Sequence, residues 1–359
     1  MPPHQVGSCA HVGILGAYPT TPGGLATFST ALSDALRAHG VDVSVVQEPS
    51  VAECIDLLDQ SDVAVLHSDQ SMYSSGDGED VVGIIDGLRV PSIVIAHSLL
   101  KAPGPQQRSM LESITGAADH VVVMSETARQ RLCSDYHVDR RKVTMIPHGA
   151  LVPTERSPKR PSRPTVLTSG LLGPGKGIER VIEAMGSLKD LPGRPRYLVA
   201  GPTHPKVLAA DGEAYREARI EQARRGGVTD SVSLDGRSWN APLLSTLAQS
   251  AAVVVLPYDS TDQVTSGALV GAIASGRPVV ATAFPHAVEL LCGGAGIVVD
   301  HDDPGALVAA LRSILTQPRL AGSMAAEARR LAPQMAWPTV AAAYLHLAQR
   351  LVAERGAVK

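Results

Sequence analysis

Short apolar runs of strand length alternate with helix-length segments along this chain, stop once, and then start again. In the first half the runs are Val12–Leu15, Val43–Val46, Val63–Leu66, Ser92–Ala96, His120–Met124 and Val143–Ile146. Helical stretches such as Leu25–Ala38, Pro105–Ile114 and Glu126–Cys133 lie between them. Strands that are nearly all Val, Ile and Leu leave no face for water, so they predict parallel strands covered on both sides by helices. The fold class that follows is α/β, with a doubly wound sheet.

The alternation fails from Leu151 to Pro164, where Pro153, Pro158, Pro161 and Pro164 are interleaved with Arg156, Lys159, Arg160 and Arg163. Proline removes backbone donors and fixes φ, and the charges favour water, so this stretch reads as a linker. Strands then recur at Val166–Ser169, Tyr197–Ala200, Val232–Leu234, Val253–Leu256, Pro278–Thr282 and Gly296–Val299. The intervening helices are Ile178–Met185, Gly212–Arg225, Leu243–Ala248, Gly267–Ser275 and Ala287–Leu291, followed by Ala306–Leu315, Leu320–Leu331 and Thr339–Val352. A chain of 359 residues is long for one domain and comfortable for two. The predicted spans are 1–150, a linker at 151–164, 165–335, and a last helix within 336–359. Sheets of this type bind ligands beyond the carboxyl ends of their strands, which places the expected site in a cleft between two facing domains.

Composition removes several function classes. With 44% hydrophobic and 19% charged residues the chain is globular. Aromatics at 3% leave no stacking platform for single-stranded nucleic acid, and a net charge of -3 gives no general attraction to nucleic acid or anionic lipid. Cys9, Cys54, Cys133 and Cys292 form no CxxC pair, which predicts free thiols, no metal site and a cytoplasmic protein. The first apolar run, Val12–Ala17, is too short for a signal or anchor. The uncharged stretch Ser238–Tyr258 is broken by Asn240, Pro242 and Gln249, so it reads as a helix and a strand and not a membrane span. No transmembrane segment is expected; peripheral membrane contact is compatible with the composition.

Three loops carry residue types suited to chemistry. Tyr18–Thr27 places Gly23 and Gly24 between the first strand and the first helix, where backbone amides can meet an anion. Its spacing is not GxGxxG, so a dinucleotide is not expected. The second loop, Gly170-Leu-Leu-Gly-Pro-Gly-Lys176-Gly177, has GxxxxGK but ends in Gly where an ATPase needs Ser or Thr for magnesium. A glycine turn, a lysine and a helix N-terminus remain, a set that fits an anionic leaving group. The third runs from Asp262 to Thr282, with Thr265 and Ser266 placed to cap the helix that opens at Gly267.

In order, the GG loop, "AHSLL", "ADHVVVMSETA", "IPHG", "GLLGPGKGIERVIEA", "SGALVGAIASGRPVVAT" and "FPHAVELLCGGAGIVV" resemble a bacterial family-four-type GT-B glycosyltransferase of the group 1 class. The likeness runs from Val12 to about Val352. It is nearest to a branch with Q-x-x-S-G-x-L, here Gln263 to Leu269, that also carries the segments "THP" and "GEAYRE". The resemblance implies two Rossmann-like domains and transfer of a sugar from a nucleotide-sugar donor to an unidentified carbohydrate or small-molecule acceptor. It also implies retention of anomeric configuration, with no cofactor and no metal. It implies Gly23, Gly24, Gly170 and Lys176 at the donor phosphates, with Gln263, Thr265, Ser266 and Gly267 near the phosphates or ribose. It places His97 at the donor sugar, and His286 and Glu289 toward the sugar or ribose. His97 and Lys176 are the expected catalytic residues. The chain departs from the family pattern at three positions. Leu171 stands for an arginine of a G-R-L sequence, and Gln263 and Gly271 stand for two glutamates separated by seven residues. A phosphorylase-like enzyme using inorganic phosphate, or a retired transferase that binds a glycan or a partner protein, are the rival readings.

Overall fold

The computed structural model describes residues 9–16, 24–47, 50–69, 77–154 and 162–358. The chain forms two compact units, one comprising Met1–Gly149 with Ala336–Lys359 and the other Ala150–Met335. Unit 1 runs β1 His11–Leu15, α1 Gly24–Ala38, β2 Asp42–Val46, α2 Val51–Leu58, β3 Val63–Ser68 and α3 Asp77–Gly87. It continues with β4 Ser92–Ala96, α4 Pro105–Ala117, β5 His120–Val123, α5 Glu126–Asp135 and β6 Val143–Met145. Unit 2 runs β7 Thr165–Ser169, α6 Ile178–Leu188, β8 Arg196–Ala200, α7 Pro205–Asp211, α8 Ala214–Arg225, β9 Val232–Asp235 and α9 Ala241–Ser250. It ends with β10 Val253–Leu256, α10 Gly267–Ala274, β11 Val279–Thr282, α11 Pro285–Leu291, β12 Gly296–Val299, α12 Pro304–Thr316 and α13 Pro318–Leu331, before α14 Trp337–Val358 returns to unit 1.

Each unit is the doubly wound α/β sheet expected from the Val-rich runs. Among the described residues each sheet has six strands, in the orders β2-β1-β3-β4-β5-β6 and β12-β11-β10-β7-β8-β9, and the paired strands are parallel. Counted from β7, the second sheet has the Rossmann order 3-2-1-4-5-6. Its winding reverses between β7 and β10, and that of the first sheet between β1 and β3. At such a reversal, neighbouring loops leave in opposite directions and open a crevice above the strand ends.

Local chemistry sets the helix starts. Ser50 accepts a hydrogen bond from Glu53 N and Ser125 from Ala128 N, while Pro occupies the first turn of α4, α7, α9, α11, α12 and α13, where no backbone donor is needed. Helices α2 and α3 were not placed by the apolar pattern. The helix expected from Gly212 begins at Ala214, because Gly212, at φ +59°, closes the preceding helix α7.

Helix α14 completes unit 1. Trp337, Val340, Ala341, Tyr344, Leu347, Ala348 and Leu351 form one face and join Val12, Ile14, Phe28, Leu32, Val65 and Ile93 in a single core. Its Trp337 ring covers Gly149, where any Cβ would collide with the indole. That contact accounts for the glycine of the "IPHG" segment. Among the described residues no helix is long and apolar enough to cross a membrane.

Candidate active site

In unit 2 the candidate residues gather at the carboxyl ends of β7, β10 and β11, beside the reversal point. The chain leaves β7 through Gly170 (φ +118°) and turns through Gly175 to Gly177, which precedes α6. Gly177 has φ +62°, and a Cβ there would run into the carbonyl oxygen of Pro257, so only glycine lets this turn lie on the loop after β10. Two further contacts fasten the loops together. Asp259 N donates to Gly175 O at 3.0 Å, and Arg180 reaches both Pro257 O (3.3 Å) and the Asp259 carboxylate (2.9 Å). Lys176, half-buried, is held with its Nζ 4.5 Å from the centroid of the Tyr258 ring, and Tyr258 stacks on Phe284.

Residues 263–267 form a hydrogen-bonded loop that ends at the N-terminus of α10. Gln263 Nε2 donates to Thr265 O at 3.0 Å, and Ser266 Oγ accepts from Leu269 N at 3.2 Å as the helix cap. Ser266, not Thr265, does the capping; the Thr265 hydroxyl is buried and has no hydrogen-bond partner among the described residues. His286, 2% exposed, lies beneath this loop. Its Nδ1 accepts the Ser266 N–H at 2.8 Å, which fixes the Nε2–H form of a neutral ring, and its backbone N donates to Gln263 O at 3.2 Å. His286 therefore positions the loop. Glu289 is half-buried one turn farther along α11, and a Cβ on Gly271 would meet nothing within 4 Å.

The segment Thr203-His-Pro205 and its partner Gly212–Glu217 build a brace beside this turn. Leu172 N donates to Pro202 O and His204 N donates back to Leu172 O, each at 2.8 Å. The Thr203 hydroxyl donates to Glu213, which pairs with Arg216 at 3.2 Å, and buried Arg216 donates to Gly201 O at 2.7 Å. These contacts tie the ends of β7 and β8 to α8.

In unit 1, Gly24 opens α1 and Gly23 falls outside the described residues. His97 follows β4, where its backbone N donates to Ser68 O at 2.8 Å. Its loop is anchored by Arg131 to Leu99 O (2.8 Å) and by the Tyr136 hydroxyl to Leu100 O (2.6 Å). His97 belongs to a ring cluster: Phe28 lies edge-on to His67, His97 and His148, with centroids 5.0–5.8 Å apart. His67 Nδ1 is 2.9 Å from His97 Nε2, and His67 Nε2 is 2.6 Å from Ser29 Oγ. Burial lowers all three imidazoles, His67 to about 4 and His97 well below its usual value, with His67 and His148 adding to the effect on His97. At neutral pH these rings are uncharged.

The Glycosyl transferases group 1 profile matches residues 154–331, and the Glycosyltransferase Family 4 profile matches residues 49–150. The chain belongs to the group 1 glycosyltransferases. The D-inositol 3-phosphate glycosyltransferase of Kineococcus radiotolerans is 27% identical over 305 residues, 75% of this chain and 68% of that protein. Across three such relatives the chain spans 68%, 55% and 64% of their lengths. Sucrose-phosphate synthase from Thermosynechococcus elongatus superposes with a TM-score of 0.74 at 18% identity, covering 96% of this chain and 99% of that one. Anabaena HepE in complex with UDP gives 0.72 at 15% identity, covering 93% and 98%. These structures establish the GT-B fold of two Rossmann-like domains.

Several residues of this glycosyltransferase's candidate site escaped the sequence reading. Tyr258 was legible as a rare aromatic directly after a strand. Ser29, His67 and His148 were not singled out, although a signal existed: the pair His-Ser ends β3 (His67-Ser68) and recurs directly after β4 (His97-Ser98), strands that pair in parallel register with Ser68 opposite Ala96.

Proposed function

We propose that this glycosyltransferase moves a sugar from a nucleotide-sugar donor to a carbohydrate or small-molecule acceptor, by stabilising the departing nucleoside diphosphate without a metal. The observation that carries the reading is the meeting of the Lys176 turn with the loop leading to the capped N-terminus of α10, at the point where the unit 2 sheet reverses. Breaking the anomeric bond places growing negative charge on phosphate. A fixed ammonium and helix-terminal amides stabilise that charge without having to reorganise. In this reading the donor phosphates lie against Gly170, Lys176 and the loop at Thr265, Ser266 and Gly267, Gln263 and Glu289 serve the ribose or sugar, and His97 meets the donor sugar through Nδ1. Gly23 and Gly24 belong to the same phosphate-binding set.

The absence of a metal requirement rests on the cation supplied by Lys176. The UDP bound to HepE, and the UDP-glucose bound to the same protein in another structure, support the donor class. The family resemblance supports retention of configuration and assigns no protein nucleophile.

The test is incubation with a panel of nucleotide sugars and carbohydrate acceptors, with and without inorganic phosphate. Transfer that depends on the nucleotide sugar is the expected result. Turnover only with phosphate would replace transfer by phosphorolysis, and donor binding without turnover would make the chain a binding protein.

A further inference from the structure

The hydrogen bonds behind His97 form a directed chain. His67 is 2% exposed and has both ring nitrogens engaged, Nε2 with Ser29 Oγ at 2.6 Å and Nδ1 with His97 Nε2 at 2.9 Å. A neutral imidazole donates from one nitrogen and accepts at the other, so the proton on Ser29 determines every proton after it. The Ser29 hydroxyl also lies 3.0 Å from the carbonyl oxygen of Leu25, one turn back on α1, and a carbonyl can only accept. If Ser29 donates to Leu25, it accepts from His67 Nε2–H, His67 Nδ1 accepts from His97 Nε2–H, and three bonds are satisfied. If Ser29 donates to His67 instead, the chain reverses and the bond to Leu25 is lost. The first arrangement makes one more hydrogen bond.

We propose that Ser29 and His67 are positioning residues that hold His97 in its Nε2–H form, leaving His97 Nδ1 as a bare acceptor for a hydroxyl of the donor sugar. Among the described residues His97 Nδ1 has no hydrogen-bond partner. The neighbouring rings leave this assignment standing. Phe28 packs its edge on His97, and His148 commits its own Nδ1–H to the carbonyl oxygen of Gly149 at 2.7 Å, an acceptor that requires the proton on that nitrogen. Ser33 donates to Ser29 O at 2.7 Å and so does not compete for the Ser29 hydroxyl. The proposal rests on the reading of His97 as the residue that meets the donor sugar, but the proton arrangement itself is a property of the free protein.

The experiment is long-range 1H–15N correlation of the histidine rings in the full chain at neutral pH, without ligand. His97 is expected in the Nε2–H form in wild type and in Ser29→Thr, which keeps the hydroxyl. In Ser29→Ala the His67 Nε2–H loses its acceptor, so His67 shifts its proton to Nδ1 and His97 is expected to change to the Nδ1–H form. An Nδ1–H His97 in wild type, or no change in Ser29→Ala, overturns the proposal. A second arm uses whichever nucleotide sugar the wild type turns over, together with its analogues in which single sugar hydroxyls are replaced by fluorine, which accepts but does not donate. One analogue should lose about tenfold in kcat/KM with wild type and little with Ser29→Ala. Equal losses in both proteins overturn the acceptor role. If His97→Ala retains normal turnover while the ring spectra behave as expected, the reading of His97 at the sugar fails and the proton chain stands.

Discussion

The ammonium of Lys176 lies 4.5 Å from the centroid of the Tyr258 ring, so the cation proposed to meet the donor phosphates is already seated before any ligand arrives. A lysine free in solution carries about 2 kcal/mol of rotamer entropy, much of which must be lost on binding an anion. The aromatic face, itself stacked on Phe284, removes part of that loss in advance and adds about 0.5–2 kcal/mol of cation–π attraction. Lys176→Ala is expected to lower kcat by roughly two to three orders of magnitude. Tyr258→Leu, which leaves the charge but not its seat, is expected to lose about tenfold or less. Steady-state kinetics with the active donor separates the two, and a Lys176→Ala enzyme of normal turnover would remove that residue from the chemistry.

Two neighbouring glycines give a graded test of the turn. Gly175 and Gly177 both have positive φ, but a Cβ at Gly175 meets open space whereas one at Gly177 meets the Pro257 carbonyl. Gly175→Ala should cost about 1–2 kcal/mol through the left-handed backbone alone. Gly177→Ala should cost more and weaken donor binding as well, because the turn must lift from the loop after β10. Urea denaturation and nucleotide titration of both variants measure the difference; equal costs would mean that the turn shifts freely.

The buried histidines make stability depend on pH in a defined window. A base whose folded pKa lies below its unfolded value stabilises the fold fully above the unfolded value, and that contribution is lost as pH falls toward the folded one. His67 and His120 fall from 6.5 to about 4, and His97 and His148 move in the same direction. For His67 alone the loss is about 3 kcal/mol between these limits. Unfolding free energy should therefore fall steadily from pH 7 to 5, before the carboxylates titrate. His120→Gln, in which the amide can still meet Thr144, should reduce the slope by up to one proton. An unchanged wild-type stability across that range would contradict the burial of these rings.

Gly271 offers space for the carboxylate that the family pattern places there. A nucleoside diphosphate and its 2′-deoxy form should differ in affinity by less than about tenfold in wild type, since Gln263 provides only a neutral amide. In Gly271→Glu a charge-assisted bond to the ribose should raise the preference by about 1.5–3 kcal/mol, roughly tenfold to over a hundredfold. Calorimetric titration of both nucleotides decides this. A large preference in wild type that disappears in Glu289→Gln would assign the ribose to Glu289.

Transfer should survive exhaustive treatment with EDTA, because the proposed leaving-group charge is met by Lys176 and backbone amides. Loss of activity that magnesium or manganese restores would require a different stabiliser.

The strands were legible because parallel sheets leave no alternating polar face: Val63–Leu66, Ser92–Ala96 and Val253–Leu256 read directly as apolar runs. Helices α2 and α3 were harder, since α2 is only eight residues long and α3 carries glycines at both ends. The turn around Lys176 was legible from its glycines, but its contact with Tyr258 was not, because residues 82 positions apart meet only through the order of β7 and β10. The work of His286 was hidden for the same reason. Its type fits a ligand contact, whereas the structure uses Nδ1 on a backbone amide twenty residues earlier.

Unit 1 is discontinuous in the chain, and that has a consequence for synthesis. Its core needs Trp337, Tyr344, Leu347 and Leu351, which leave the ribosome after the whole of unit 2, since everything from Ala150 to Met335 belongs to that unit. The usual order, in which the first-made domain folds first, is therefore inverted. Unit 2 can close around its own sheet during elongation, while β1 to β6 wait with the seat of α14 uncovered. Chaperone dependence should concentrate in that interval, and premature termination before residue 337 should yield a folded second unit tethered to an incomplete first one.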